Sequence, residues 1–228
     1  MAGPHHPSGW IALHGRMDQH GKATENKRVQ GRYQPQRLRS TKSLSALSDS
    51  LINIRIDPHA SEVLVYGKAT GHQFKTRFFH LEGVLKVDSD EPEKSAEALF
   101  SLEMGKVDGG DFLRTRQIKS YLNPRKFPTA TFTLHRLELS PESDIQGALH
   151  RCEESELKIF GGLAYRNRNL EFSTTAKGTI DPKGILVATC RFSMDIRELG
   201  MEPPSFLFIK VRPEVDIEVR LIGKRKGS

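Results

Sequence analysis

Apolar and polar residues alternate along most of the chain from residue 51 onward, and this period of two is typical of β-strands with one buried face. The alternating segments are 52–56, 79–87, 157–165, 186–194 and 215–221. Turn signals such as Asp57-Pro58 and Asp181-Pro182 separate them at short intervals. About eight or nine short strands with only one convincing helix predict an antiparallel sandwich or barrel, because a parallel sheet needs helices between its strands.

One segment, residues 95–134, combines the strand period with the helix period. A DGG turn signal precedes Asp111, which is placed to cap a helix, and Pro124 is placed to end it. The apolar positions of this helix are Ile118, Tyr121, Leu122 and, near the edge of the stripe, Leu113. Their spacing of three and four residues gives one apolar face. We therefore predict one short amphipathic helix between two strands.

The positive charge of the chain is concentrated at its N-terminal end. Residues 1–48 carry eight basic and two acidic residues, which gives +6 of the total +7, whereas residues 49–228 carry 27 basic and 26 acidic residues. The first segment shows neither period and has too few apolar residues to offset the entropy of ordering. We predict a disordered basic arm at 1–48 and one folded domain at 49–228. The arm could dock an acidic partner, nucleic acid or an anionic surface, or be a solvated tail.

The cellular compartment is predicted from two missing signals. No run of about 18 apolar residues is present, as a membrane-spanning helix would need. The N-terminus also lacks the apolar run of about 7–15 residues that characterises a secretory signal. These features predict a cytoplasmic protein. Cys152 and Cys190 lie 38 residues apart and are predicted to be reduced thiols there.

The sequence contains no recognisable catalytic motif. It has no Gly-rich phosphate loop, no Gly-x-Ser-x-Gly elbow and no His-Glu-x-x-His pair. His72, His80 and His135 lie in or near predicted strands, but none has a partner at metal-ligand spacing. We therefore predict a protein that is not an enzyme, with no catalytic residues, no metal and no cofactor.

Several motifs, in this order and at this spacing, resemble the YceI-like family. They are DPHAS at 57–61, EPEKS at 91–95, the helix at 113–122, KFPTATF at 126–132, and LGMEPPS at 199–205 followed by the strand at 215–221. The resemblance covers roughly residues 51–224. It implies an all-β fold, an antiparallel lipocalin-like β-barrel of about eight strands with one short helix. It also implies binding of polyisoprenoid or other long amphiphilic lipids in the barrel lumen. The chain departs from the family pattern at 162–169, so no function of that turn is transferred.

The resemblance and the alternation together indicate candidate ligand-binding residues. We predict that the apolar tail is bound by Phe79, Leu81, Leu85, Ala98, Phe100, Leu102, Phe132 and Phe192. A closed barrel of about eight strands can enclose a ligand or be filled by its own side chains, so these residues could also simply fill the core. Cations on or after the helix could bind a carboxylate or phosphate head group at the barrel mouth, or form a solvated helix face. They are Arg114, Arg116, Lys119 and Lys126.

The predicted function is non-enzymatic binding, carrying or sequestering of a long apolar amphiphile, such as a polyisoprenoid, in the lumen. The alternative is a filled barrel that acts as a structural or interaction module, with the basic arm docking an acidic partner. The sequence does not identify the ligand or the oligomeric state.

Overall fold

Strands make up most of the part of the chain that the computed structural model describes, residues 50–139, 153–206 and 209–226. The basic arm at 1–48 and most of the polar connection after residue 140 lie outside these ranges. The strands are β1 (Leu51–Ile56), β2 (Glu62–Ala69), β3 (His72–Phe79), β4 (Leu81–Asp88), β5 (Glu97–Glu103), β6 (Val107–Asp108), β7 (Thr129–Leu139), β8 (Ser155–Tyr165), β9 (Arg168–Ile180), β10 (Ile185–Asp195), β11 (Ser205–Phe206) and β12 (Ile209–Arg225). The helices are α1 (Pro92–Ser95), α2 (Phe112–Leu122) and a 3-10 helix at Ile196–Leu199.

The strands form an antiparallel sheet that closes on itself. Its order is β1-β4-β5-β7-β8-β9-β10-β12, and β12 pairs back with β1. Along that same edge of β12, residues 211–220 pair with β2 and residues 223–225 pair with β1. β4 pairs with β1, and β3 pairs with β2. The segments β1 and β2 therefore occupy one strand position of the barrel, and β3 and β4 occupy the next. The predicted antiparallel barrel of about eight strands is confirmed.

A single residue separates β3 from β4 and reverses the alternation between them. His80 has a φ of 71°, in the left-handed region, whereas the sequence pattern predicted one continuous strand through 79–87. A one-residue shift turns every following side chain to the opposite face of a sheet. Phe78 is therefore buried, and Phe79 is 37% exposed and lies on the outer face. Phe79 does not line the lumen, contrary to the sequence-based prediction.

Helix α2 forms where the sequence predicts it. The Asp111 side chain accepts a hydrogen bond from the N–H of Arg114 at 2.8 Å, which caps the first turn. The helix ends at Asn123, which has a left-handed φ of 49° and donates its N–H to the carbonyl of Lys119. The additional short helix α1 was not predicted from the sequence pattern. Among the described residues, no helix has the length and apolar content needed to cross a membrane.

The buried side chains inside the barrel form two clusters. The larger one lies beneath α2 and includes Val63, Phe78, Leu122, Tyr165 and Met201, among others. The smaller one is built on Ile52, Ile54, Ile56 and Leu186. Phe100 and Leu221 pack against both clusters. The interior is therefore divided along the barrel axis, and Phe100 lies at the division.

Candidate functional site

An apolar chamber of about 310 Å³ lies inside the barrel beneath α2. Its wall includes five of the predicted tail-binding residues: Leu81, Phe100, Leu102, Phe132 and Phe192. Its polar lining groups are few, since Thr76, Thr189, Cys190 and two tyrosines stand among aliphatic and aromatic side chains. The exposed Pro204 also lines the chamber. This lining suits an apolar ligand and offers little to a polar one.

A second chamber of about 170 Å³ lies toward the other end of the barrel, near α1. Two further predicted tail-binding residues, Leu85 and Ala98, line this chamber and not the larger one. Phe100 and Phe132 line both. The structure therefore distributes the predicted lumen residues over two spaces, and their role in binding stays a prediction.

Two tyrosines fix the helix over the large chamber. The hydroxyl of Tyr165 donates to the carbonyl of Leu122 at 3.1 Å, and the hydroxyl of Tyr121 donates to the carbonyl of Glu202 at 2.8 Å. Burial raises the pKa of Tyr121 to about 12, against the opposing effect of the Arg166 guanidinium. Both hydroxyl protons are thus engaged with backbone carbonyls, and the tyrosines present ring carbons to the chamber. The alternating pattern indicated Tyr165 as inward-facing, but no sequence signal linked it to the helix.

Arg166 anchors the C-terminal end of α2. Its Nη2 donates to the carbonyls of Tyr121 at 2.8 Å and Leu122 at 3.2 Å. A cation at this end complements the helix dipole and satisfies carbonyls that the helix leaves free. The guanidinium also lies 4.8 Å from the ring centre of Phe127, and its Nε is buried without a hydrogen bond to any described residue. Arg166 lies in the turn between β8 and β9, within the segment 162–169 that departs from the family pattern, and here it positions the helix.

The four predicted head-group cations lie outside the chamber. Arg114 pairs with Asp111 at 3.8 Å and donates to the carbonyl of Gly109, and the ammonium of Lys126 lies 5.3 Å from the ring centre of Phe127. Arg116 and Lys119 are exposed. None of the four lines either chamber. A head group bound by them would therefore lie on the outer surface.

The outer face of α2 also carries apolar residues. Phe112 is 78% exposed and Leu113 is 68% exposed. Leu113 was expected near the edge of the buried stripe. It lies outside, and the helix residues that line the chamber are Ile118, Tyr121 and Leu122.

The histidines singled out in the sequence have ordinary polar partners. His135 Nδ1 lies 3.0 Å from Glu171 Oε2, and His80 Nε2 lies 3.9 Å from Glu103 Oε2. His72 Nδ1 lies 3.3 Å from the carbonyl of Thr70. Within the described ranges, no group of three or more His, Cys, Asp or Glu residues could hold a metal ion.

Cys190 is expected to react slowly with iodoacetamide at neutral pH. Burial raises the pKa of its thiol to about 11, and a backbone hydrogen bond with Val219 acts in the opposite direction. Because the thiolate is the reactive species, the alkylation rate in a Cys152→Ser background should rise about tenfold per pH unit up to about pH 10. Mass spectrometry of quenched samples measures the rate. A plateau near pH 9 would show an ordinary, accessible thiol, since free thiols titrate near about 8.5.

Comparison with known proteins gives one family match. The sequence profile of the YceI-like domain matches residues 55–222. BcnA of Burkholderia cenocepacia has a similar fold, with 13% identity, a TM-score of 0.59 and coverage of 73% of this chain and 98% of that one. A polyisoprenoid-binding domain from Saccharophagus degradans, implicated in plant cell wall breakdown, has the same identity and TM-score, with coverage of 76% and 98%. The YCEI protein of Campylobacter jejuni is similar at 11% identity and a TM-score of 0.51, with coverage of 68% and 86%. No curated protein matches the chain significantly in sequence.

Proposed function

This chain belongs to the YceI-like family, and from that premise we propose that its barrel binds the apolar tail of a long amphiphile. In this proposal the protein carries or sequesters the ligand and does not convert it chemically. The observation on which the proposal rests is the apolar chamber of about 310 Å³ inside the closed barrel. Chambers of roughly 300–1,000 Å³ are typical of small-molecule sites.

The size of the chamber defines how much of a tail it accepts. An engineered apolar cavity of about 150 Å³ holds benzene. A chamber of about 310 Å³ then has room for about ten to twelve carbon atoms on this scale, or roughly two isoprene units. The rest of a longer molecule would extend out of the chamber toward the surface. The ligand class is therefore one with an apolar tail and a head group that stays at the surface.

The energy of binding comes mainly from the tail. Burying about 400 Å² of apolar surface at about 25 cal/mol/Å² contributes about 10 kcal/mol. Association and ordering cost about 4–15 kcal/mol, so the net affinity is modest. The hydroxyls of Tyr121 and Tyr165 already donate to backbone carbonyls, and few other polar groups face the chamber. The head group then affects selectivity more than affinity.

Polyisoprenoids are the tail class that we favour. One structural neighbour is a polyisoprenoid-binding domain, and the wall of the chamber combines aromatic rings with branched aliphatic side chains. A methyl-branched chain fills such an irregular wall more completely than a straight one. The fully filled barrel is disfavoured by the volume of the chamber. The docking role of the basic arm and the cytoplasmic location stay predictions.

Equilibrium dialysis with tritiated farnesol tests this function. We expect saturable binding of one molecule per chain, and at least about 100-fold weaker binding of isoprenol, because each buried methylene contributes about 0.8 kcal/mol. The heat capacity change on binding should be negative, as is typical when apolar surface is buried. Absence of saturable farnesol binding, or equal affinity for the two alcohols, would contradict the proposal and favour the interaction module.

A further inference from the structure

The boundary between the two chambers is a belt of six residues. Phe100, Phe132, Ile159, Ala176, Ala188 and Leu221 line both chambers. They lie on β5, β7, β8, β9, β10 and β12, which are neighbours in the sheet, so each of six consecutive strands contributes one residue. The two chambers thus meet at one level of the barrel. Two aromatic rings, an isoleucine and a leucine supply the bulk at this level, and the two alanines leave space.

The two rings of the belt belong to a continuous aromatic row. The ring centres of Phe100 and Phe132 lie 6.0 Å apart at an interplanar angle of 15°. The row continues from Phe132 to Phe172 at 5.7 Å and from Phe172 to Phe192 at 4.4 Å. Phe172 and Phe192 line only the large chamber. Within this aromatic row, Phe100 and Phe132 are therefore the rings that lie at the boundary between the two chambers.

Each ring of the pair lies over a glycine of the adjacent strand. A Cβ atom at Gly83 would stand 2.7 Å from Cδ1 of Phe100, and one at Gly161 would stand 2.5 Å from two ring carbons of Phe132. Gly83 faces Phe100 across β4 and β5. Because these positions have no side chain, the rings can lie close against the barrel wall at a fixed level. The glycines thus define the height at which the interior is divided.

We propose that the Phe100–Phe132 pair sets the length of tail that the barrel accepts, by closing off the second chamber from the large chamber that binds the tail. This inference rests on the proposed function. With both rings in place, the tail ends at the rings after about two isoprene units, by comparison with the cavity that holds benzene. The second chamber of about 170 Å³ would add room for about six more carbons, roughly one further isoprene unit. Removing a ring should therefore lengthen the accepted tail by one unit.

The test compares the affinities of geraniol and farnesol, which have two and three isoprene units. For the wild-type protein we expect similar affinities, because the third unit has no place beyond the rings. For Phe100→Ala the farnesol-to-geraniol affinity ratio should increase by at least about tenfold, since five further carbons become buried. Phe100→Leu, a milder change, should increase the ratio in the same direction. Equilibrium dialysis with both tritiated alcohols gives the ratio directly.

Two matched variants separate ring removal from a change in chamber size. Phe192→Ala removes the same ring from the large chamber only, and its ratio should stay within about threefold of the wild type. The swap Phe100→Ala/Ala98→Phe keeps the composition and places the ring in the far chamber, because Ala98 lines only that chamber. This swap should restore a ratio close to that of the wild type.

The outcomes distinguish this inference from the proposed function. If the wild type binds both alcohols and Phe100→Ala leaves the ratio unchanged, the length-setting role is wrong and the proposed function stands. If Phe192→Ala increases the ratio as much as Phe100→Ala, chamber volume decides the tail length and the partition does not. If the wild type binds neither alcohol, both proposals are wrong.

Discussion

Gly83→Ala is expected to destabilise the barrel by about 3 kcal/mol or more, because it adds a side chain where the backbones of two paired strands lie close together. The Cβ atom would collide with the carbonyl oxygen of Leu99 and stand 2.9 Å from Cα of Phe100. Both are backbone atoms of the paired strand β5, so they cannot move aside without separating β4 from β5. Gly83 also has a φ of 155°, which L-residues rarely adopt. In a domain of this size the midpoint of thermal unfolding should fall by roughly 6–12 °C.

Gly71→Ala is the matched control for this prediction. Gly71 has a φ of 79° in the turn between β2 and β3, and nothing lies within 4 Å of a Cβ atom built there. Gly71→Ala therefore measures only the free-energy cost of placing alanine at a left-handed φ, about 1–2 kcal/mol. Urea unfolding of both variants gives the two free energies of unfolding. A cost at Gly83 no larger than that at Gly71 would contradict the close approach of β4 and β5.

Filling the large chamber is expected to abolish ligand binding while the barrel stays folded. Val65 and Val219 line this chamber, and tryptophan at both positions would add two indole ring systems. On the benzene scale these rings are large enough to fill a space of about 310 Å³ completely. Farnesol affinity should fall by at least about 100-fold. Dialysis measures the affinity, and circular dichroism at rising temperature checks the fold.

The control for the filled chamber places the same substitution outside the barrel. Val84 and Val187 are 40% and 47% exposed and lie on the outer face. Val84→Trp/Val187→Trp should bind farnesol within about threefold of the wild type. Equal loss in the inner and outer variants would mean that the tail is not bound in the chamber. Unchanged binding in the inner variant would have the same meaning.

The strands and the helix could be predicted because their signals are local. The period of two along 157–165 and 215–221 appears as β8 and as part of β12, and Asp111 caps α2 as its position indicated. The prediction that Phe79 faces the lumen was wrong because of the backbone conformation of the next residue. His80 adopts a left-handed φ, and for a residue other than glycine no simple sequence signal marks that conformation.

The division of the interior could not be predicted, because it depends on register between distant strands. Phe100 and Phe132 are adjacent because β5 pairs with β7, and Gly161 lies beneath Phe132 because β7 pairs with β8. Alternation identifies these rings as inward-facing but gives no height along the barrel axis. For the same reason the sequence did not separate Leu85 and Ala98 from the residues of the large chamber.

The roles of Arg166 and of the cations on α2 also could not be predicted from local sequence patterns. Arg166 was assigned only to a turn, yet it donates to the carbonyls of Tyr121 and Leu122. Arg116 and Lys119 have the helical spacing of a cationic rim, but they face away from the chamber. The packing of Ile118 and Tyr121 determines which side of α2 faces the barrel. The charged side chains do not determine it, because they are solvated equally well on either side of the helix.

Native mass spectrometry of the full chain, purified from cells without detergent, tests most directly whether the chamber holds an isoprenoid tail. We expect a non-covalent adduct, and the mass of the released molecule should correspond to one with an isoprenoid tail. The amount of adduct should fall to background in Val65→Trp/Val219→Trp but not in Val84→Trp/Val187→Trp. An adduct-free wild-type protein that also takes up no farnesol, or an adduct retained in the filled variant, would contradict lipid binding in the barrel.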